Sequence, residues 1–129
     1  MELVSRFIFG GPDRRLFPPA WKRALKESVA GVEVPGLDTL DVAFRFGGSV
    51  SSFEGDLGVR HVRFSASRRR VTVNVVVPAS ELAELGADAL APHLDELARA
   101  VARRVAPGQV DDVAGVLSRA FREVPSPPL

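Results

Sequence analysis

The stretch that decides the fold is residues 59–77, VRHVRFSASRRRVTVNVVV. Its second part, VTVNVVV at 71–77, repeats valine at every other position, and a period of two with β-branched residues is typical of a β-strand. The first part, VRHVRFSA at 59–66, also alternates polar and apolar side chains from His61 to Ala66. Residues 67–70 remain to connect the two strands. The stretch therefore predicts a β-hairpin with its turn at 67–70.

Upstream of this hairpin, two more segments alternate with the same period, namely LVSRFIF at 3–9 and TLDVAFRF at 39–46. Between them, residues 18–30 carry Trp21, Leu25 and Val29 at helical spacing, which predicts a helix. Alternation places one set of side chains on the face that we expect to be buried: Leu3, Phe7, Phe9, Leu40, Val42, Phe44, Phe46, Val62, Phe64, Ala66, Val71, Val73, Val75 and Val77.

Downstream of Pro78 the period changes to that of helices. We expect a short helix at 80–85, a longer one from the capping residue Asp88 to Ala106, and a last one at about 110–124. The segment GGSVSSFEGDLG at 47–58 reads as a loop or an irregular hairpin, because it is rich in Gly and Ser. The tail PSPPL should be disordered or extended.

With the short helix at 80–85 left out, the resulting element order is β-α-β-β-β-α-α in a single domain, residues 1–124, followed by a disordered tail at 125–129. Because no helix separates the last three strands, we expect them to form an antiparallel meander. We therefore predict an α+β fold with about four strands in a mainly antiparallel sheet and helices packed on one face. Whether the last helix, a second subunit or a foreign partner covers the other face stays open.

Composition excludes several functions. The chain has 129 residues and no cysteine, which removes disulfides, thiol nucleophiles and thiolate metal sites. No apolar run approaches the roughly 18 residues of a membrane span. The N-terminal MELVSRFIFGG lacks the pattern of a signal peptide, so we expect a cytoplasmic protein without membrane contact.

Catalytic and metal-binding patterns are weak. His93 and Glu96 share a helical face, but such pairs are common on solvated helices, and we expect neither a metal nor another cofactor. The serines of the 47–58 segment lack a G-x-S-x-G context that would activate a nucleophile. Adjacent carboxylates, as in Asp111-Asp112, do not face one another on a helix. A non-enzymatic role is therefore predicted, and a small-ligand or enzyme domain is the third alternative.

Nucleic-acid binding is the second alternative. Residues 57–78 contain five arginines, and Asp56 is the nearest acidic residue before them. A sheet that stacks on RNA bases needs exposed aromatic side chains, whereas Phe44, Phe46 and Phe64 alternate towards the buried face. The net charge of +1 also gives little attraction to a polyanion. Nucleic acid is therefore the less favoured partner.

The outward sheet face favours a protein partner. It mixes arginines with the apolar side chains of Val4, Ile8, Ala43 and Val76, and this mixture is typical of the centre of a protein interface. Phe53 in the 47–58 loop is a second contact candidate. A second copy of the chain, in a homodimer, would also cover this surface. The predicted partner-binding residues are Arg6, Arg45, His61, Arg63, Asn74 and Phe53.

The chain also resembles a known class of protein in its size, its element order and the general pattern of its residues. It resembles the small α+β immunity proteins that GC-rich bacteria encode against polymorphic toxins. The segments that carry this resemblance are FIFGG at 7–11, the Trp21 helix, VAFRFGGS at 42–49, the hairpin and the Ala/Leu-rich helices. The resemblance implies a cytosolic, non-catalytic inhibitor that occludes the active site of a toxin. Nuclease inhibitors of this class often carry a dense acidic face, which this sequence lacks.

Overall fold

A computed structural model describes residues 1–9, 19–47, 58–78 and 90–124 of the chain. The strands are β1 (Glu2–Phe9), β2 (Thr39–Gly47), β3 (Gly58–Ser65) and β4 (Arg70–Pro78). The helices of these ranges are α1 (Pro19–Ala30), α2 (Ala91–Val105) and α3 (Val110–Arg122). The element order and the α+β class are confirmed, and each of these elements lies within a few residues of its predicted bounds.

Four sequence expectations lie wholly or largely outside the described residues. They are the short helix at 80–85, the cap at Asp88, the loop at 47–58 with Phe53, and the tail at 125–129. The side chains of Phe9, Trp21 and Phe46 lie outside the described part as well. Within the described ranges, no helix has both the length and the apolar character needed to cross a membrane.

The strands form one mixed sheet in the order β1-β2-β4-β3. β1 and β2 are parallel, β2 and β4 are parallel, and β3 and β4 are antiparallel. The expected meander is therefore wrong, and so is the mainly antiparallel pairing, because β4 lies between β2 and β3. The predicted hairpin itself is confirmed. α1 makes the crossover connection that a parallel β1–β2 pair requires.

Side-chain composition explains why β4 is central and β3 lies at the edge. β4 buries valines on both of its faces, including Val75 on one side and Val76 on the other. A strand that is apolar on both faces gains most from two strand neighbours. β3 instead exposes Arg60, His61 and Arg63, and charged side chains are common on edge strands.

The core lies between one face of this sheet, here called the inner face, and the three helices. Phe44 and the alternate valines of β4 are buried there against Leu25, Leu97 and Leu117. Of the stripe predicted for the first helix, Leu25 and Val29 face this core. Since α3 contributes Leu117 and Phe121 to it, the last helix does not cover the opposite sheet face, which answers one of the alternatives left open by the sequence.

Two residues that were expected in the core are exposed. Phe64 lies on the inner face, opposite Val71, yet its side chain is 37% exposed, because it sits on the edge strand. Ala66 is exposed and lies in the turn rather than in β3. Alternation identifies the face of a side chain correctly at Phe64, but it does not show how far the helices extend over that face.

The hairpin turn is fastened to the start of β2 through Arg69. This residue has a positive φ of 49°, and its N–H donates to the carbonyl of Ala66. Its own carbonyl accepts from the N–H groups of Asp38 and Thr39, at 2.7 and 3.2 Å. Its guanidinium also lies 3.1 Å from the Asp38 carboxylate. Arg69 therefore joins the turn to β2, and its charge is compensated.

Candidate binding site on the outer sheet face

The face of the sheet opposite the helices, here called the outer face, carries side chains in rows set by the strand register. From β1 through β2 and β4 to β3, the rows read Ile8, Arg45, Val76, Gly58; then Arg6, Ala43, Asn74, Arg60; then Val4, Asp41, Thr72, Arg63; then Glu2, Thr39, Arg70, Ser65. Five arginines (6, 45, 60, 63 and 70) thus share this face with two carboxylates (2 and 41). The outer face is cationic.

One part of this face is internally neutralised. Asp41 on β2 is only 7% exposed, although it is charged. The guanidinium of Arg70 donates to its Oδ2 at 2.5 Å, and a guanidinium nitrogen of Arg6 lies 3.5 Å from its Oδ1. A buried carboxylate requires such partners, because water no longer solvates it. We call Arg6, Asp41 and Arg70 the paired cluster.

A β-bulge in β3 shapes the other part. The regular pairing stops at Arg60 opposite Asn74 and resumes at Arg63 opposite Thr72, so that His61 and Val62 together face the single residue Val73. His61 has a φ of 56°, the left-handed region that favours glycine. It occupies the position that glycine takes in a G1 bulge. A non-glycine residue held there stores strain, which is a feature of functional sites.

The bulge changes which side chains reach each face. Val59 and Val62 both contact the core, although their spacing of three would put them on opposite faces of a regular strand. Because the extra residue resets the alternation, Arg60, His61 and Arg63 are all exposed, on the side away from the helices. His61 and Arg63 line an open cavity of about 330 Å³ with Thr72 and Asn74 of β4.

We call Arg60, His61, Arg63, Thr72 and Asn74 the bulge cluster. In the part of the chain that the structure describes, no carboxylate lies within 4 Å of the guanidinium groups of Arg60 and Arg63. The same holds for Arg45, in the row next to the cluster. The cluster therefore presents cationic and hydrogen-bonding groups whose charges the described residues leave uncompensated.

The structure brings together five of the six residues singled out from the sequence. Arg6, Arg45, His61, Arg63 and Asn74 belong to the outer face, whereas Phe53 lies outside the described residues. Arg6 belongs to the paired cluster. Sequence reasoning missed Arg60 and Thr72, which flank His61 and Arg63. The consecutive polar pair Arg60-His61 between two valines was the available signal, since it breaks the alternation.

The apolar part of the expected interface is smaller than the sequence implied. Ala43 is 1% exposed and Val76 is 5% exposed, so neither is accessible on the outer face. Ile8 on β1 is 41% exposed, and Val4 is half-buried. The accessible outer face is therefore mainly polar and cationic, with apolar surface confined to its β1 side.

The two histidines do not meet. His61 lies on the outer face, whereas His93 is half-buried on α2, in the layer that packs on the inner face. His93 Nδ1 is 4.0 Å from a carboxylate oxygen of Glu96. Across residues 1–9, 19–47, 58–78 and 90–124, no group of three or more His, Cys, Asp or Glu side chains is placed to hold a metal ion.

Comparison with protein-family models, with curated proteins and with solved structures gave no significant match.

Proposed function

We propose that this chain is a non-catalytic protein-binding module and that its outer face binds an acidic surface of a partner protein. The observation that carries the proposal is the bulge cluster, where one strained residue, His61, accompanies the exposure of two arginines without an acidic partner among the described residues. Groups held by regular strands keep their spacing, and binding groups on a rigid scaffold lose little freedom when a partner binds.

The chemistry of the exposed groups indicates what the partner presents. Arginine binds carboxylates through two parallel hydrogen bonds, and its weakly hydrated guanidinium suits protein interfaces. Arg45 lies on β2, and Arg60 and Arg63 lie on β3, so the three arginines stand on either side of β4. The amide of Asn74 and the hydroxyl of Thr72 add neutral hydrogen-bonding groups between them. A surface with several spaced Asp or Glu side chains complements this arrangement.

The same geometry argues for binding rather than catalysis. A histidine that acts as a general base is oriented by a third group, most often a carboxylate. Among the described residues, no carboxylate lies within 4 Å of the His61 ring. His61 instead borders the arginines, where it extends the hydrogen-bonding surface.

An immunity-type inhibitor is the specific form of this proposal that the family resemblance favours. In that form, the outer face covers the active site of a toxin, and the arginines bind its acidic side chains. A steric inhibitor requires a firm surface and no chemistry of its own, which agrees with a site built on paired strands.

Nucleic-acid binding remains the second candidate, because the three unpaired arginines would also attract phosphate. Two observations count against it. Arg69 and Arg70, part of the basic run that suggested it, are compensated by Asp38 and Asp41. In the described strands, the aromatic side chains Phe7, Phe44 and Phe64 all belong to the inner face, so they offer no platform for base stacking there.

A charge-reversal pair tests the proposal. Arg45→Glu with Arg63→Glu should abolish binding to the physiological partner, sought first among the products of adjacent genes by co-purification and then measured by calorimetry. The matched control is Arg103→Glu with Arg104→Glu, two exposed positions on α2. The control places negative charge in the last turn of a helix, where the helix dipole disfavours it. A folding defect would therefore affect the control more.

Retained affinity in the outer-face variant would contradict the proposal. Binding of the wild-type chain to RNA or DNA, with an affinity that falls steeply as salt rises, would favour the second candidate. Thermal unfolding of all three proteins, followed by circular dichroism, shows that each variant is folded under the binding conditions.

A further inference from the structure

The edge of β1 that faces away from β2 differs from the outer face in its chemistry. In the described sheet, β1 pairs with β2 on one side and with no strand on the other. Its register with β2 runs without interruption from Glu2 to Phe9. A regular, unbulged edge strand is a template for a further strand, because half of its backbone groups point outwards.

The hydrogen-bond pattern identifies those backbone groups. The N–H of Glu2 donates to the carbonyl of Asp38, at 2.9 Å, at the start of the β1–β2 ladder. In a parallel ladder, alternate residues direct both N–H and C=O to the same neighbour. The backbone N–H and C=O groups of Val4 therefore point to β2, whereas those of Leu3 and Ser5 point to the free edge.

Three cations of α1 lie alongside this edge. Lys22, Arg23 and Lys26 are exposed, and with Leu3, Val4 and Ser5 they line an open cavity of about 440 Å³. We call them the α1 cations. Within the described residues, no carboxylate lies within 4 Å of their charged atoms. They lie on the inner-face side of β1, because α1 packs there through Leu25 and Val29.

We propose that the β1 edge binds an extended acidic segment of a partner protein as an additional strand. The backbone of the segment would bond with the outward groups of Leu3 and Ser5. Side chains of an added strand alternate between the two sheet faces. Those on the inner-face side meet the α1 cations, which selects Asp or Glu. Those on the other side meet Val4 and the exposed Ile8, with Arg6 between them turned to Asp41, and the two apolar side chains select apolar residues. The segment is therefore one that alternates acidic and apolar residues.

The opposite edge of the sheet does not share these properties. β3 carries the bulge at His61 and exposes Arg60 and Arg63, and both a bulge and edge charges discourage strand addition. A second copy of this chain is a poor occupant of the β1 edge. Pairing β1 with β1 would bring two sets of α1 cations together, and like charges at that distance repel.

The proposal is independent of the outer-face site, and a synthetic peptide tests it. The probe is a fluorescein-labelled peptide of alternating Asp and Val, about eight residues long, the length of an ordinary strand. Its binding to the full chain is followed by fluorescence anisotropy at low salt. A peptide of alternating Lys and Val should not bind. If the acidic peptide also fails to bind at millimolar concentration, the proposal is wrong.

The backbone contribution is tested at Ser5. Ser5→Pro removes an N–H that points away from β2, and proline is tolerated on an edge strand in that orientation. We expect it to weaken binding about tenfold or more, while the matched control Ser5→Ala changes it less than about twofold. A peptide N-methylated at alternate residues makes the same test on the wild-type chain and should also bind about tenfold more weakly. Unchanged affinity in both tests would overturn strand addition.

The contribution of the α1 cations is tested by replacing them with acidic side chains. The double variant Arg23→Glu with Lys26→Glu should bind the Asp/Val peptide about tenfold or more weakly than the wild-type chain, and it should bind the Lys/Val peptide. The outer-face variant with Arg45→Glu and Arg63→Glu should still bind the Asp/Val peptide, because its changes lie outside the cavity at the β1 edge. Loss of peptide binding in that variant would contradict a separate site.

Hydrogen exchange locates the bound peptide. The amides of Leu3 and Ser5 should exchange more slowly when the peptide is added, while the amide of Val4, already bonded to β2, should change little. Protection that is absent from Leu3 and Ser5 would contradict the proposed position. If the wild-type chain forms a dimer and Ser5→Pro abolishes that dimer, then a second copy, not an acidic segment, occupies this edge.

Discussion

The paired cluster and the bulge cluster lie side by side on the outer face, yet their arginines have different roles. Arg6 and Arg70 flank the buried Asp41 and form ion pairs with its carboxylate. Arg60 and Arg63, next to the bulge, have no carboxylate within 4 Å in the described chain. The first group connects β1, β2 and β4, whereas the second is available to a partner.

This difference shows that the role of an arginine depends on its cross-strand neighbours. Arg70 and Arg63 are both polar residues on strands of one hairpin. Arg70 is near Asp41, because β2 is the parallel neighbour of β4. Arg63 lies on the edge strand, beyond the reach of β2. Substitutions in the paired cluster should therefore affect stability, and substitutions in the bulge cluster should affect binding.

The largest effect on stability is expected from Asp41→Ala. This change leaves Arg6 and Arg70 without their shared carboxylate, and it should lower the free energy of unfolding by about 2 kcal/mol. The estimate is below the range for fully buried pairs, since both arginines remain partly exposed to water. Urea unfolding measures it, and combination with Arg70→Ala gives the coupling between the two side chains. A loss below about 0.5 kcal/mol would show that the pair is structurally neutral.

A smaller effect of opposite sign is expected from His61→Gly. Glycine adopts a positive φ without strain, so the free energy of unfolding should rise by up to about 1 kcal/mol. His61→Ala is the control, because it removes the imidazole and keeps the strained backbone. Both variants remove the imidazole from the bulge cluster and should weaken partner binding, but only His61→Gly should also stabilise the fold. Equal stability of the Gly and Ala variants would contradict strain at this position.

The exposed pair between Asp38 and Arg69 should contribute still less. Asp38→Asn removes one charge of a pair in which both side chains are more than half exposed, and such pairs contribute about 0.5 kcal/mol. The backbone hydrogen bonds of the turn remain, so the hairpin should stay fastened to β2. High salt should remove most of the difference from the wild-type chain. An effect as large as that of Asp41→Ala would contradict the ranking of the two pairs.

The smallest effect on stability is expected from the two arginines of the bulge cluster. Arg60→Glu or Arg63→Glu should change the free energy of unfolding by less than about 0.5 kcal/mol, because both side chains are exposed and form no ion pair with the described residues. Thermal and urea unfolding measure this, in parallel with partner binding. A large loss of stability in either variant would mean that these arginines hold the fold together, and the contrast between the two clusters would fail.

Much of the fold could be predicted from periodicity. The alternation in β2 and β4 identifies Val42, Phe44, Val73 and Val75 as inner-face residues, and all four are buried. In α2, the buried Leu94, Leu97 and Val101 follow the helical period that the sequence shows after Pro78. The pairing of β4 with β2 could not be predicted from the order of segments along the chain. The alternation in a strand shows which of its faces is buried, but it does not show which strand lies next to it.

The candidate site was predictable only in part. Polar residues on the outward face identified Arg45, His61, Arg63 and Asn74 by alternation. The buried state of Ala43 and Val76 could not be obtained in that way, since burial depends on what surrounds a side chain in space. The bulge was signalled locally by Val59 and Val62, but its effect on Arg60 follows only from the pairing with β4.

The sequence by itself determined the elements, the α+β class and the face to which most side chains belong, because these follow from the period of apolar residues along the chain. Only the tertiary structure decided that β4 separates β3 from β2, that Asp41 binds two arginines, and that β1 lies at the edge of the described sheet beside the α1 cations. These features depend on contacts between residues far apart in the chain. Such contacts depend on which strands become neighbours in the sheet, which no single segment encodes.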